Sequence, residues 1–153
     1  MPEPLSLEIS TDPSRFDLDV IHGYLSRSYW SPGIPRRTVE RAIAGSMGFA
    51  AFVGGRQIGF ARVITDRATF AYVADVFVLE EFQGGGVASK IMEAIRTHPD
   101  LQRLRRWLLL TKDAHGLYEK FGFGPLANPD RHMEILDRTV YPDTSARSGD
   151  GGE

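Results

Sequence analysis

Three consecutive glycines, Gly84, Gly85 and Gly86, stand between an apolar run ending at Leu79 and a helix-like pattern starting near Val87. Glycine loses more backbone freedom on folding than any other residue, so three at one junction call for a reason. A helix N-terminus presents unpaired N–H groups and a partial positive charge. Glycines just before it let the backbone approach a large anion without Cβ clashes, and the pattern therefore suits the binding of a diphosphate. Asp75 is a second candidate, as a lone carboxylate within an otherwise apolar stretch. Burial there would make it a stronger base; a carboxylate in that place is equally well explained by pairing with an arginine or by an open face.

The elements that must position these groups follow from hydrophobic period. "LSLEIS" (5–10) alternates as a half-buried strand does. A helix is predicted from about Asp17, with Val20, Ile21, Tyr24 and Leu25 on one face. "YWSPGIP" (29–35) breaks it, and Val39, Ala42 and Ile43 mark a short second helix ending near Gly45. Two strands follow about Gly54-Gly55, a hairpin signal. "TFAYVADVFVL" (69–79) reads as a central strand. The helix after the glycines carries Ala88, Ile91, Met92 and Ile95 on one face and ends at His98-Pro99. "RRWLLLT" (105–111) is the next buried strand, parallel to 72–79 because a helix connects them. "DAHGLYEKFGF" (113–123) gives a short helix with Ala114, Leu117, Tyr118 and Phe121 on one stripe, and "HMEIL" (132–136) a last strand.

Two familiar diphosphate motifs are absent. A P-loop needs Lys-Ser or Lys-Thr after its second glycine, whereas Lys90 here follows Ser89 and precedes Ile91. The dinucleotide fingerprint needs a third glycine where Ser89 stands, within a βαβαβ series that the chain lacks. "QGGGVA" does fit the pattern Q/R-x-x-G-x-G/A through Gln83, Gly86 and Ala88. With "LYEKFGF" downstream and the element order above, residues 5–136 resemble the GNAT superfamily of acetyl-CoA-dependent N-acetyltransferases. The resemblance implies an α+β, three-layer domain. Its central sheet would be mixed but mostly antiparallel, with one parallel strand pair splayed at the cofactor site.

The resemblance also implies roles. The main chain of Phe77 and Val78 would bond the pantetheine arm, and the amides of Gln83, Gly84, Gly85, Gly86, Val87 and Ala88 would hold the pyrophosphate. Asp113 stands where many members carry a cofactor-contacting asparagine; alternatively it caps the last helix. Tyr118 matches the tyrosine that protonates the departing sulfur, against the plainer reading of a core aromatic. Asp75 would be the catalytic base, the alternative being a chain of waters. The acceptor site would lie by the loop between the first two helices. Tyr29, Trp30, His22 and Tyr24 would line it, unless Trp30 is packing at the sheet edge. His115 lies off the apolar stripe of its helix, in a surface or cofactor-edge position.

Composition bounds the function. The net charge of −2 gives no basic excess for neutralising phosphates, so no nucleic-acid partner is expected. With no cysteine there is no disulfide and no acetyl-cysteine intermediate, so direct attack in a ternary complex is expected. No metal is expected. No apolar run approaches the roughly 20 residues of a membrane helix, and the first residues lack a signal pattern. A cytoplasmic protein with no membrane partner is the expectation. The reading is one domain over 1–142, a disordered tail over 143–153, acetyl-CoA as co-substrate, and a primary amine on a small molecule or protein as acceptor. A homodimer is compatible with it. A non-catalytic acyl-CoA-binding module, or transfer of a longer acyl group, is the alternative.

Overall fold

The computed structural model describes residues 6–141, so the tail expected over 143–153 lies outside the described residues. The elements are β1 (Leu7–Ser10), α1 (Leu18–Leu25), α2 (Arg36–Ala44), β2 (Met47–Val53), β3 (Arg56–Thr65), β4 (Phe70–Val78), α3 (Val87–Thr97), β5 (Arg106–Leu109) and α4 (His115–Glu119). The sheet runs in chain order, β1-β2-β3-β4-β5, antiparallel until its last pair, β4-β5, which is parallel. The mixed, mostly antiparallel sheet predicted from the sequence is the one observed. No described helix is long and apolar enough to cross a membrane.

Local rules account for the boundaries. Asp17 caps α1, its carboxylate accepting from the Val20 N–H. Gly54 and Gly55 both have positive φ, 58° and 81°, and turn β2 into β3 as a two-residue hairpin loop. The turn from β3 to β4 is held by Asp66, whose carboxylate accepts from the main-chain N–H groups of Ala68, Thr69 and Phe70. Those donors hold the carboxyl well below its usual pKa, the Thr69 hydroxyl contributing most.

The strand pleat sends alternate side chains to two helical layers. Phe49, Ala51, Ile58, Ala61 and Val63 meet Ile91, Met92 and Ile95 of α3 on one face. Ala50, Phe52, Phe60 and Phe77 meet Ile21, Leu25 and Val39 of α1 and α2 on the other. That is why β2 is buried at almost every position.

Residues 132–136 form no strand, contrary to the sequence expectation. A short strand needs a partner edge for its N–H and C=O groups. Here a 3-10 turn at Pro129–Arg131 leads the chain away, and His132 Nδ1 meets the Asn128 carbonyl at 3.0 Å. Met133 and Ile135 are left 97% and 101% exposed.

Gly59 of β3 makes the tightest approach to the functional strand. A Cβ there would lie 3.0 Å from the Phe77 carbonyl oxygen and 3.3 Å from Ile91 Cδ1. Gly59→Ala should therefore lower stability by about 1–3 kcal/mol, the usual cost of overpacking. Urea unfolding checks this; an unchanged midpoint would mean that β3 and α3 yield freely.

Candidate functional site

The site exists because β4 outlasts its partner. Pairing with β5 runs from Phe70–Arg106 to Val73–Leu109 and stops, while β4 continues to Val78 beside β3. Within that free stretch Asp75 and Val76 together oppose the single residue Ala61, which makes a β-bulge. Asp75 takes up the extra residue in a left-handed conformation, φ 56°, uncommon for a residue with a side chain. Past the bulge β4 and β5 part, and the cleft between them has a volume of about 820 Å³. Tyr24, Trp30, Arg62, Asp75, Gln83 and Tyr118 are among its walls.

Main-chain groups line the cleft with a period of two. The Phe77 carbonyl lies against Gly59, and the Leu79 N–H donates to Ile58 O at 2.8 Å, so both face β3. Alternation then turns the polar groups of Val76 and Val78 to the open side. Val78, expected to contact the pantetheine arm, turns its N–H to the open side, while its carbonyl accepts from the Gln83 side chain at 2.9 Å. The Phe77 main chain, expected beside it, faces β3 instead, and the Phe77 ring stacks on Tyr24, centroids 4.2 Å apart. Val76, not singled out from sequence, faces the open side with Val78.

The glycine turn makes the other end. Gly84 and Gly86 have φ of 87° and 83°, and Gly86 is the N-cap of α3. A Cβ at either would meet nothing within 4 Å, so the turn opens to solvent rather than packing on the protein. The main-chain N–H groups of Gly84, Gly85, Gly86, Val87, Ala88 and Ser89 have no protein acceptor among the described residues. Gln83 does not belong with them: its N–H donates to Glu80 O, and its side chain donates to Val78 O at 2.9 Å. It fixes the turn to the strand end. The donor set and the glycine conformations fit a diphosphate.

Asp75 points into the cleft but is fully engaged. Oδ2 accepts from Arg62 Nε at 2.7 Å and Oδ1 from Trp30 Nε1 at 2.9 Å. Arg62 also donates to Ser46 Oγ at 3.1 Å. Of the two readings of Asp75 weighed from sequence, pairing with an arginine is the arrangement observed, in an ion pair whose side chains are 17% (Arg62) and 9% (Asp75) exposed. Arg62 was missed from sequence. The signal was present, since past the exposed Arg56 at its start β3 holds no other charge, and Asp75 is the lone charge in the neighbouring β4.

Tyr118 is 8% exposed and lines the cleft opposite β4. Burial first, then the nearby Tyr29 and Asp113, push its hydroxyl pKa up to about 12. It is also packed edge-to-face with Phe123, so it is core aromatic and cleft wall together. Asp113 does not cap α4. The cap residue is Ala114, whose N–H donates to Thr111 Oγ1, and Asp113 faces the cleft.

At the far end Tyr24, Tyr29 and Trp30 form an aromatic wall, with Trp30 edge-on to Tyr29. Ser28 steadies the loop, donating to Leu25 O and accepting from the Ser31 N–H. Tyr29 Oη accepts from the Lys112 N–H at 3.3 Å, linking this loop to the one after β5. His22 is not in the wall. Its Nε2 meets the Ile34 carbonyl at 3.1 Å and positions the α1–α2 connection. Tyr141, also missed, lies close enough to Asp75 and Arg62 to feel both charges, and burial raises its hydroxyl pKa. No group of His, Cys, Asp or Glu side chains able to hold a metal occurs among the described residues.

Residues 44–125 match the acetyltransferase (GNAT) domain. A provisionally named acetyltransferase of Gibberella zeae is 32% identical over 136 positions, covering 73% of this chain and 75% of that one. The crystal structure of a provisionally assigned GNAT-family acetyltransferase from Xanthomonas campestris pv. campestris superposes with a TM-score of 0.87 at 48% identity, covering 94% of this chain and 99% of that one. A Clostridium acetobutylicum protein described as an acetyltransferase and solved with acetyl-CoA shares the fold, at 14% identity and a TM-score of 0.63. That match covers 86% of this chain and 96% of the other.

Asp75→Ala should leave Arg62 unpaired and Trp30 Nε1 without its acceptor, at a cost of about 3 kcal/mol. Asp75→Asn keeps an acceptor for Trp30 and should recover part of that. Denaturant midpoints decide the matter; equal stability in all three proteins would mean that the pair anchors nothing.

Proposed function

The chain belongs to the GNAT acetyltransferase superfamily, and on that premise we propose that it transfers an acetyl group from acetyl-CoA to a primary amine by direct attack in a ternary complex. The observation that carries this reading is one continuous cleft. It has the unpartnered N–H of Ala88 at the α3 end, with those of the glycine turn beside it, Val76 and the Val78 N–H along its side, and an aromatic wall with a charged pair at its far end.

In this reading the amides of Gly84 to Ala88 hold the pyrophosphate, and Val76 and Val78 bond the pantetheine arm as a strand neighbour would. The thioester then lies near Tyr118 and the amine near Trp30 and Asp75. The amine nitrogen forms a bond to the thioester carbon, the carbon–sulfur bond breaks, the amine's proton passes to water in the cleft, and the departing thiolate takes one up from water. Asp75 orients the amine while Arg62 and Trp30 hold the carboxylate in place.

Tyr118 acts chiefly as a hydrogen-bond donor to charge building at sulfur. With its pKa near 12, full transfer to a thiolate of pKa about 8.5 would be uphill by about 5 kcal/mol. The burial that makes it a poor acid keeps it protonated throughout the working range.

Two variants test the reading. Gly86→Asp would place a negative charge at the pyrophosphate position, and acetyl-CoA affinity by calorimetry should fall at least tenfold, about 1.4 kcal/mol, in a folded protein. Tyr118→Phe should lower kcat by about 10²-fold or more with little change in acetyl-CoA affinity, as for loss of one transition-state donor. Because Tyr118 stays protonated, the wild-type rate against an amine panel should show no loss from its ionisation up to about pH 11. Full activity of the Phe variant where chemistry limits the rate, or no turnover with any amine, would sink the proposal.

A further inference from the structure

We propose that the amine acceptor carries a second, anionic group, a carboxylate or a phosphate, which Arg27 and Lys112 hold at the rim of the cleft while the amine lies by Asp75. The inference rests on the acetyl-transfer reading and adds to it the charge of the acceptor. It starts from two sets of charges that are treated differently. Inside the cleft Asp75 is matched by Arg62 at 2.7 Å, so that pair adds no net charge. At the rim Arg27 and Lys112 are exposed, and neither forms an ion pair among the described residues.

The two cations are held on the aromatic wall instead. The Arg27 guanidinium lies 5.7 Å from the centroid of Tyr24, and Tyr24 stacks on Phe77 at 4.2 Å. Lys112 Nζ lies 5.1 Å from the centroid of Tyr29. A ring face attracts a cation and leaves most of its N–H donors free. Arg27 spends Nη1 on the Gly23 carbonyl, and the rest of its fork has no acceptor among the described residues. Tyr24 and Tyr29 both contact Trp30, whose Nε1 donates to Asp75. A ligand lying along this wall thus meets a carboxylate at its inner end and two cations at its outer end.

That order of charges selects among amines. The other acids of the cleft lie elsewhere: Glu80 opens the 3-10 turn ahead of the glycines, and Asp113 lies near Tyr118. The acceptor end is therefore positive although the whole chain carries −2. A polyamine or a lysine-rich peptide is repelled at such a rim. An amine with an anion one ring's breadth away complements both ends. A guanidinium fork takes two oxygens of a carboxylate or of a phosphate in parallel bonds, so the rim reads what those two groups share.

The test adds two matched pairs to the amine panel: benzylamine with para-aminomethylbenzoate, and tyramine with its phosphate ester. At saturating acetyl-CoA the anionic member should exceed its parent at least about tenfold in kcat/KM. The gain should lie mainly in KM, because the anion is remote from the reacting carbon, and added salt should reduce it. The pair with the larger ratio tells carboxylate from phosphate. In the double variant Arg27→Gln/Lys112→Gln both ratios should fall towards one, with acetyl-CoA affinity by calorimetry unchanged. Equal rates within each pair, a ratio that survives the double variant, or a loss of acetyl-CoA affinity in its place would overturn the proposal and leave acetyl transfer standing. So would an amine without an anion that outperforms every anionic one. No turnover with any amine of the panel removes the acetyl-transfer reading and this inference together.

Discussion

The carboxylate of Asp75 sits where an unpaired charge could not stay, and much of the cleft follows from how it is compensated. Burying a carboxylate without partners is prohibitive. Arg62 comes from the neighbouring strand and Trp30 from the loop between the first two helices, so three segments meet on two oxygens. The bulge that turns Asp75 towards them also ends the regular run of β4, and the cleft opens beyond that point. An ion pair and an irregular residue are thus one device: the first holds the second in a backbone conformation that would otherwise relax.

The same trade recurs at Tyr118. Its ring packs against Phe123 in the helical layer and its hydroxyl borders the cleft. The apolar surroundings that raise the hydroxyl's pKa also keep water from competing for its proton. Packing and chemistry are therefore not rival descriptions of this residue. The aromatic stripe that stabilises α4 sets the direction of the hydroxyl, and substitutions behind Tyr118 that leave the hydroxyl untouched would still act on it.

Much of this was legible in the residues themselves. Hydrophobic period placed the helices and the central strands, and the paired positive-φ glycines 54 and 55 marked the hairpin. The turn at 84–86 announced an anion site through glycine's freedom and the helix end. Less was readable where tertiary pairing decides. Nothing local to Asp75 says that its partner is Arg62, thirteen residues earlier, and His22 shares a helix with Tyr24 while facing another way. The main-chain direction of Phe77 against that of Val78 depends on where the bulge falls, and one inserted residue reverses it. The alternation in "HMEIL" suggested a strand, but alternation does not supply a partner edge, and none is found among the described residues.

The contact between Tyr29 and the Lys112 main chain joins the two banks of the cleft. The aromatic wall at one end therefore rests partly on the loop after β5, which borders the other. A molecule that shifts that loop on entering shifts Tyr29 with it, and so alters the space left for its co-reactant. Thermodynamic linkage makes such an influence mutual: whatever factor one reactant imposes on the affinity of the other is returned unchanged. On the proposed reading, a single hydrogen bond across the gap would make two adjacent subsites a coupled pair, in which the order of arrival matters to rates and the strength of joint occupancy does not depend on it.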